Sequence, residues 1–166
     1  MAKITLGGVP CNTIGELPAV GSSAPAFTLS KDDLSSISSD EFRGKILVLN
    51  ILPSIETGVC AASTRRFNQE AAGLKNTTIA CVSMDLPFAL KRFCGSEGIE
   101  NVIMLSDFRG GNFGKDYGLT ITDGAFAGLH SRVVIILDEK GKVIYKEQVP
   151  EIGQEPDYSS ALKVLT

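Results

Sequence analysis

The chain has 166 residues, 43% of them hydrophobic and 21% charged, with a formal net charge of −3 and four cysteines. These are globular values and predict a single domain over residues 1–166, enough chain to bury about 70% of its unfolded surface in one core. The acidic balance and the absence of a basic tract exclude nucleic acid as an expected partner. The apolar runs fall far short of the ~20 residues of a membrane span, and no leader-like stretch is visible at the start, so a cytoplasmic protein without membrane contact is expected.

In chain order, Lys3–Leu6 and Cys11–Ile14 read as a short hairpin joined by Gly-Gly-Val-Pro, and Phe27–Leu29 as a short strand. Ser38–Phe42 reads as a brief helical turn before Gly44. Lys45–Leu52 reads as a strand, because its apolar run Ile46–Leu52, bounded by Gly44 and Pro53, has the pattern of a buried strand of parallel type. A helix follows from Cys60 to about Leu74, then a second buried strand over Thr77–Met84. Pro87 opens a helix to about Cys94 that runs out at Gly95 and Gly98. Val102–Leu105 is a third strand and Phe113–Tyr117 a short helix. Arg132–Leu137 and Lys142–Gln148 flank the Asp138-Glu-Lys-Gly turn as an antiparallel hairpin, and Asp157 caps a last helix to Leu165. This alternation predicts an α/β fold.

The chemistry concentrates at Pro53-Ser-Ile-Glu-Thr-Gly-Val-Cys60. Cys60 falls near a helix N-terminus, where unpaired N–H groups and the helix dipole favour an anion and hence a reactive thiolate. Pro53 stiffens the loop, Thr57 sets a hydroxyl one turn before the sulfur, and Gly58 permits close backbone approach. The competing reading for Cys60 is a buried inert cysteine; Thr57 also reads as an ordinary helix cap, a role that can stand beside contact with the sulfur's substrate. For Cys94 the spacing alone leaves a core cysteine and a second redox thiol equally open. Cys81 reads as a buried structural residue and Cys11 as structural, His130 as a surface residue, and Arg132 as a solvated strand end. Metal binding is disfavoured, because the chain has no Cys-x-x-Cys pair and a single histidine. The glycines at 110, 111 and 114 lack the spacing of a dinucleotide loop.

Pro53, Thr57 and Cys60 stand in a Pro-x-x-x-Thr-x-x-Cys pattern that resembles the active-site signature of the peroxiredoxins. With Asp85-Leu-Pro-Phe-Ala, Arg92-Phe-Cys-Gly-Ser-Glu-Gly and Glu155-Pro-Asp-Tyr in the same order, the chain resembles the bacterial thiol peroxidases, the atypical two-cysteine type. Glu56 stands where that pattern has aspartate. The resemblance implies a thioredoxin-like fold with an added N-terminal β-hairpin. It implies reduction of hydroperoxides, organic and hydrogen peroxide, through a Cys60 sulfenic acid and a Cys60–Cys94 disulfide. It further implies Arg132 at the active-site sulfur, thioredoxin as reductant, no cofactor and a homodimer. Two other readings remain. A thioredoxin-like disulfide oxidoreductase would need Cys-x-x-Cys, but threonine stands at position 57; a non-enzymatic redox sensor would use the disulfide to switch a surface.

Overall fold

The computed structural model describes residues 1–165; Thr166, the last residue of the expected domain, lies outside them. The strand Ile46–Ile51 (β5) is continuously apolar save for Asn50 because it lies inside a seven-stranded sheet. It pairs in parallel with Thr77–Ser83 (β6) and antiparallel with Val133–Leu137 (β8). Beyond β6 come Ile103–Ser106 (β7), Thr28–Lys31 (β3) and Ser36–Ser38 (β4); beyond β8 comes Val143–Gln148 (β9), giving the order β4-β3-β7-β6-β5-β8-β9. Lys3–Leu6 (β1) and Val9–Asn12 (β2) form a separate antiparallel ribbon.

Strand alternation divides the core into two layers. Leu47, Leu49 and Ile51 project to one face, where they meet Phe27, Phe113, Tyr117 and Leu119 beside the short helix Asn112–Asp116 (α3). Val48 and Leu52 project to the other, with Ile79, Cys81, Val134 and Ile136. That face is covered by Gly58–Ala71 (α1), Pro87–Glu97 (α2) and Tyr158–Lys163 (α4), through Phe67, Leu90 and Ala161. Each fully buried Leu, Ile or Phe among these contributes about 1.5–3 kcal/mol of burial. Asn50 alternates onto the helix-covered face and is fully buried there.

The α/β alternation and the added hairpin match the sequence expectation, with shifts at the ends. The β1–β2 turn is Gly7-Gly8 alone, at φ +59° and +83°, so the second strand starts at Val9 and stops at Asn12. Glycine adopts both of these successive left-handed conformations at little cost. The strand Ser36–Ser38 had no signal, since its three residues are half-buried or exposed and pair only along one edge. The helix expected to fade at Cys94 continues through Gly95 to Glu97 and ends at Gly98, which takes the left-handed cap at φ +66°. Asp157 caps α4 as expected, its carboxylate accepting from the Ser160 N–H at 3.1 Å, but that helix stops at Lys163.

Candidate active site

α1 presents Cys60, Ser63, Thr64 and Phe67 at spacings of three and four residues, one face turned to the sheet. Cys60 is the third residue of that helix and has no solvent-exposed area. Its N–H belongs to the first turn, whose N–H groups lack intrahelical acceptors. Its carbonyl accepts from the Ser63 and Thr64 hydroxyls at 3.0 and 2.9 Å. Asn50 Nδ2 reaches Ser63 Oγ at 3.3 Å and Cys81 Sγ at 3.5 Å, tying this turn to β5 and β6. Asn50, Ser63 and Thr64 were given no role in the reading of the sequence. A polar residue inside the run Ile46–Leu52 was the one signal available, because such a residue must find buried partners.

Arg132 precedes β8 at 2% exposure, so the expectation of a solvated strand end is overturned. Its Nη2 donates to Cys60 Sγ at 3.2 Å and its Nε to the Ile152 carbonyl at 2.7 Å, while Nη1 has no partner among the described residues. No carboxylate among them lies within ion-pair distance of this guanidinium. A buried cation needs an anion or several acceptors to offset lost hydration. The Cys60 sulfur sits where that anion would be.

The loop from Pro53 to Thr57 is held by Asp85, two residues past the end of β6. Asp85 accepts from Ser54 Oγ at 2.7 Å, from the Ile55 N–H at 2.9 Å and from Ser83 Oγ at 2.7 Å. Pro53 is buried at the end of β5. Thr57 occupies the N-cap with extended backbone, but its hydroxyl donates to the Ser54 carbonyl at 3.1 Å and makes no cap hydrogen bond. The cap reading of that side chain is thereby corrected. Glu56, to which the sequence attached no role, pairs with Arg92 of α2 at 3.2 Å. This exposed pair links the Cys60 loop to the helix of Cys94, at a worth of about 0–1 kcal/mol. A cavity of about 400 Å³ opens between the two, lined by Ile55, Thr57, Gly58, Ala61, Phe93 and Ser96 among others.

All four cysteines are free thiols. Cys94 lies in the last turn of α2, half-buried against the apolar cluster that contains Cys60. Its carbonyl accepts the two bonds that close the helix, from the Gly98 and Ile99 N–H groups. Burial, and secondarily the charge of Asp32, push its thiol up to about 11. Cys81 is buried in the sheet and burial pushes it up to about 12, so it stays protonated and inert. Cys11 is buried in a small cluster with Ile4, Ile121 and Ile152 under the β1–β2 ribbon. His130 is not at the surface: at 1% exposure it meets Asp107 Oδ2 through Nε2 at 2.9 Å and packs beside Phe113. Its ring serves the opposite core layer, away from the Cys60 sulfur. Among the described residues no cluster of His, Cys, Asp and Glu is arranged to hold a metal, and no helix is long and apolar enough to cross a membrane.

The redoxin family model matches residues 19–165. The chain belongs to the redoxin family. Within it, the thiol peroxidase of Mycobacterium tuberculosis is 58% identical over 165 residues, covering 99% of both chains. That of Corynebacterium glutamicum is 52% identical over the same span, also 99% of both. The crystal structure of a peroxiredoxin-like protein from Aquifex aeolicus superposes with a TM-score of 0.93 at 39% identity, over 99% of this chain and 96% of that one. A thiol peroxidase from Chromobacterium violaceum shares the fold at a TM-score of 0.91 and 24% identity, over 98% and 94%. The thioredoxin-like fold and the thiol peroxidase resemblance read from the sequence both hold. This redoxin is a thiol-dependent peroxidase of peroxiredoxin type.

Proposed function

We propose that Cys60 is the peroxidatic residue, Cys94 the resolving residue, and a hydroperoxide the substrate. The observation that carries this reading is the Arg132 Nη2 contact to Cys60 Sγ at 3.2 Å, made out of bulk water at the start of a helix. The Cys60 thiolate attacks the distal peroxide oxygen and the O–O bond breaks. With one proton taken up, the alcohol (or water) departs and the sulfur becomes a sulfenic acid. Arg132 Nη1, which has no partner among the described residues, donates to the peroxide oxygens as charge develops on them. The Thr57 hydroxyl, its proton given to the Ser54 carbonyl, keeps lone pairs that accept from the peroxide O–H, and Pro53 holds the loop in shape.

The Cys94 sulfur then displaces hydroxide from the sulfenic acid, which leaves as water once protonated, and a Cys60–Cys94 disulfide forms. A dithiol protein, thioredoxin, reduces it by exchange and carries off the two electrons. Two features support a local opening before that step. A thiol held up to about 11 is a poor nucleophile while packed, and Cys94 lies in a terminal turn closed by two bonds to its own carbonyl. Family resemblance supports the remaining parts of the reading: one domain over 1–166, a homodimer, a cytoplasmic location and no cofactor.

Stopped-flow consumption of cumene hydroperoxide and of hydrogen peroxide, with thioredoxin, its reductase and NADPH, tests the reading. Rapid catalytic turnover is expected. Turnover with an added protein disulfide such as insulin but not with peroxide would support a disulfide oxidoreductase, and a single stoichiometric oxidation without recycling would support a redox sensor.

A further inference from the structure

Arg132 is aimed by a bond to the backbone, Nε to the Ile152 carbonyl at 2.7 Å. What fixes Ile152 is the β1–β2 ribbon. Its side chain is buried with Ile4, Cys11 and Ile121 beneath that ribbon, and its N–H donates to the Thr5 carbonyl at 2.8 Å. The Thr5 N–H donates in turn to the Pro150 carbonyl at 2.8 Å, so Glu151 lies beside Thr5 in a single parallel bridge to β1. Between those two bonds stands Glu151. Its Oε1 accepts from the Thr5 hydroxyl and the Gly8 N–H, both at 2.9 Å; its Oε2 accepts from the Gly153 N–H at 2.7 Å and the Gly7 N–H at 3.2 Å. Four donors converge on one carboxylate, and two come from the tip of the Gly7-Gly8 turn. These bonds, that of Gly153 first and those of Gly8 and Thr5 next, hold the carboxyl well below the usual carboxylate range, down to about 2.

We propose that Glu151 is a positioning residue for Arg132: by pinning the β1–β2 turn onto residues 150–153, it holds the Ile152 carbonyl where that carbonyl directs the guanidinium at Cys60. The inference rests on the reading of Arg132 and Cys60 given above. The N-terminal ribbon is therefore a clamp on the active-site cation as well as a cover for Cys11. Removing the carboxylate leaves four donors without their charged acceptor and frees the 150–153 segment to shift. A displacement near 1 Å at a group that orients the reacting atoms costs up to about a hundredfold in rate.

A double-mutant cycle on the peroxide step tests the clamp, read by single-turnover oxidation of Cys60 and accompanied by the rate of disulfide reduction by a small dithiol. Glu151→Ala should slow Cys60 oxidation about five- to tenfold and leave dithiol reduction within about twofold, since only the first step uses the guanidinium. Glu151→Gln, which keeps one acceptor oxygen, should fall between. In an Arg132→Met chain, Glu151→Ala should add less than about a twofold change, because no guanidinium remains to be aimed. If Arg132→Met alone leaves Cys60 oxidation at the wild-type rate, the reading of Arg132 fails. If Arg132→Met slows it while Glu151→Ala does not, or slows it equally in both backgrounds, the clamp is wrong. Should Glu151→Ala fail to fold, Glu151→Gln and Thr5→Val, which removes one donor without changing shape, carry the same cycle.

Discussion

Arg132 and Cys60 come from elements far apart in the chain, yet the Arg132 Nη2 lies 3.2 Å from the Cys60 sulfur, with both side chains buried. Because no carboxylate among the described residues pairs with that arginine, substitutions at either partner read out on the peroxide step.

Arg132→Met keeps the length and apolar stem of the side chain and removes its charge and donors. A hydrogen bond to a charged group is worth about 1.5–3 kcal/mol, so Cys60 oxidation should slow about ten- to a hundredfold. Alkylation of Cys60 by iodoacetamide at pH 7 should slow as well, by less than the peroxide step, because alkylation has no peroxide oxygens to hold. Equal slowing of both reactions would show that Arg132 acts on the sulfur alone.

Cys60→Ser should abolish peroxide turnover and leave the thermal midpoint within a few degrees of wild type, since serine fills nearly the same volume without a thiolate. Mass spectrometry after peroxide treatment should find no sulfenic acid elsewhere. Oxidation of Cys94 or Cys11 with retained turnover would displace Cys60 from the mechanism.

Cys94→Ser should consume about one equivalent of peroxide per chain and then stall with thioredoxin, because the sulfenic acid lacks its internal partner. Excess peroxide should then drive Cys60 to sulfinic acid, seen as a gain of two oxygens. In the oxidised wild type, peptide mapping should recover a Cys60–Cys94 linkage; one to Cys81 or Cys11 would reassign the resolving role.

Asp85→Ala should loosen the loop ahead of Cys60, because Ser54 Oγ, the Ile55 N–H and Ser83 Oγ lose a shared acceptor. An unsatisfied donor costs about 1–3 kcal/mol where it is buried. Faster hydrogen exchange over residues 54–60 and slower Cys60 oxidation are expected, with Asp85→Asn intermediate. Unchanged exchange there would remove Asp85 from the support of the site.

Burial lifts the Cys94 thiol from its ordinary value of 9.0 to about 11, so across that interval the folded chain keeps a proton that the unfolded chain has released. Where the folded state binds more protons, stability falls as pH rises. Cys94 therefore contributes its full share below about pH 9 and loses it progressively up to about pH 11. The thermal midpoint of the reduced protein should drop over that range, and less steeply in Cys94→Ser. Cys81, the buried Tyr117 and the partly buried Tyr145 and Tyr158 lower it with the same sign in both proteins, so the difference between the two curves isolates Cys94. Parallel curves would show that Cys94 is already solvated.

Local chemistry was legible from the chain itself. The apolar run at Ile46–Leu52, the proline and threonine before Cys60, Pro87 at a helix start and Asp157 at another are signals carried by neighbours in sequence, and each recurs in the structure. The run length and alternation of a strand follow from its own residues, which is why β5, β6 and β8 were found within a residue or two of their ends. What surrounds Cys60 was decided elsewhere. Arg132 and His130 sit two residues apart, yet one turns to the sulfur and the other to Asp107 in the opposite core layer, because the chain changes face on entering β8. Burial of a charged or titratable side chain depends on partners supplied by distant segments, and the partner of Arg132 Nε is a backbone carbonyl, which every residue has. Residue type therefore carried no mark of Ile152, and only the packing of the N-terminal ribbon against residues 150–153 shows why the guanidinium points where it does.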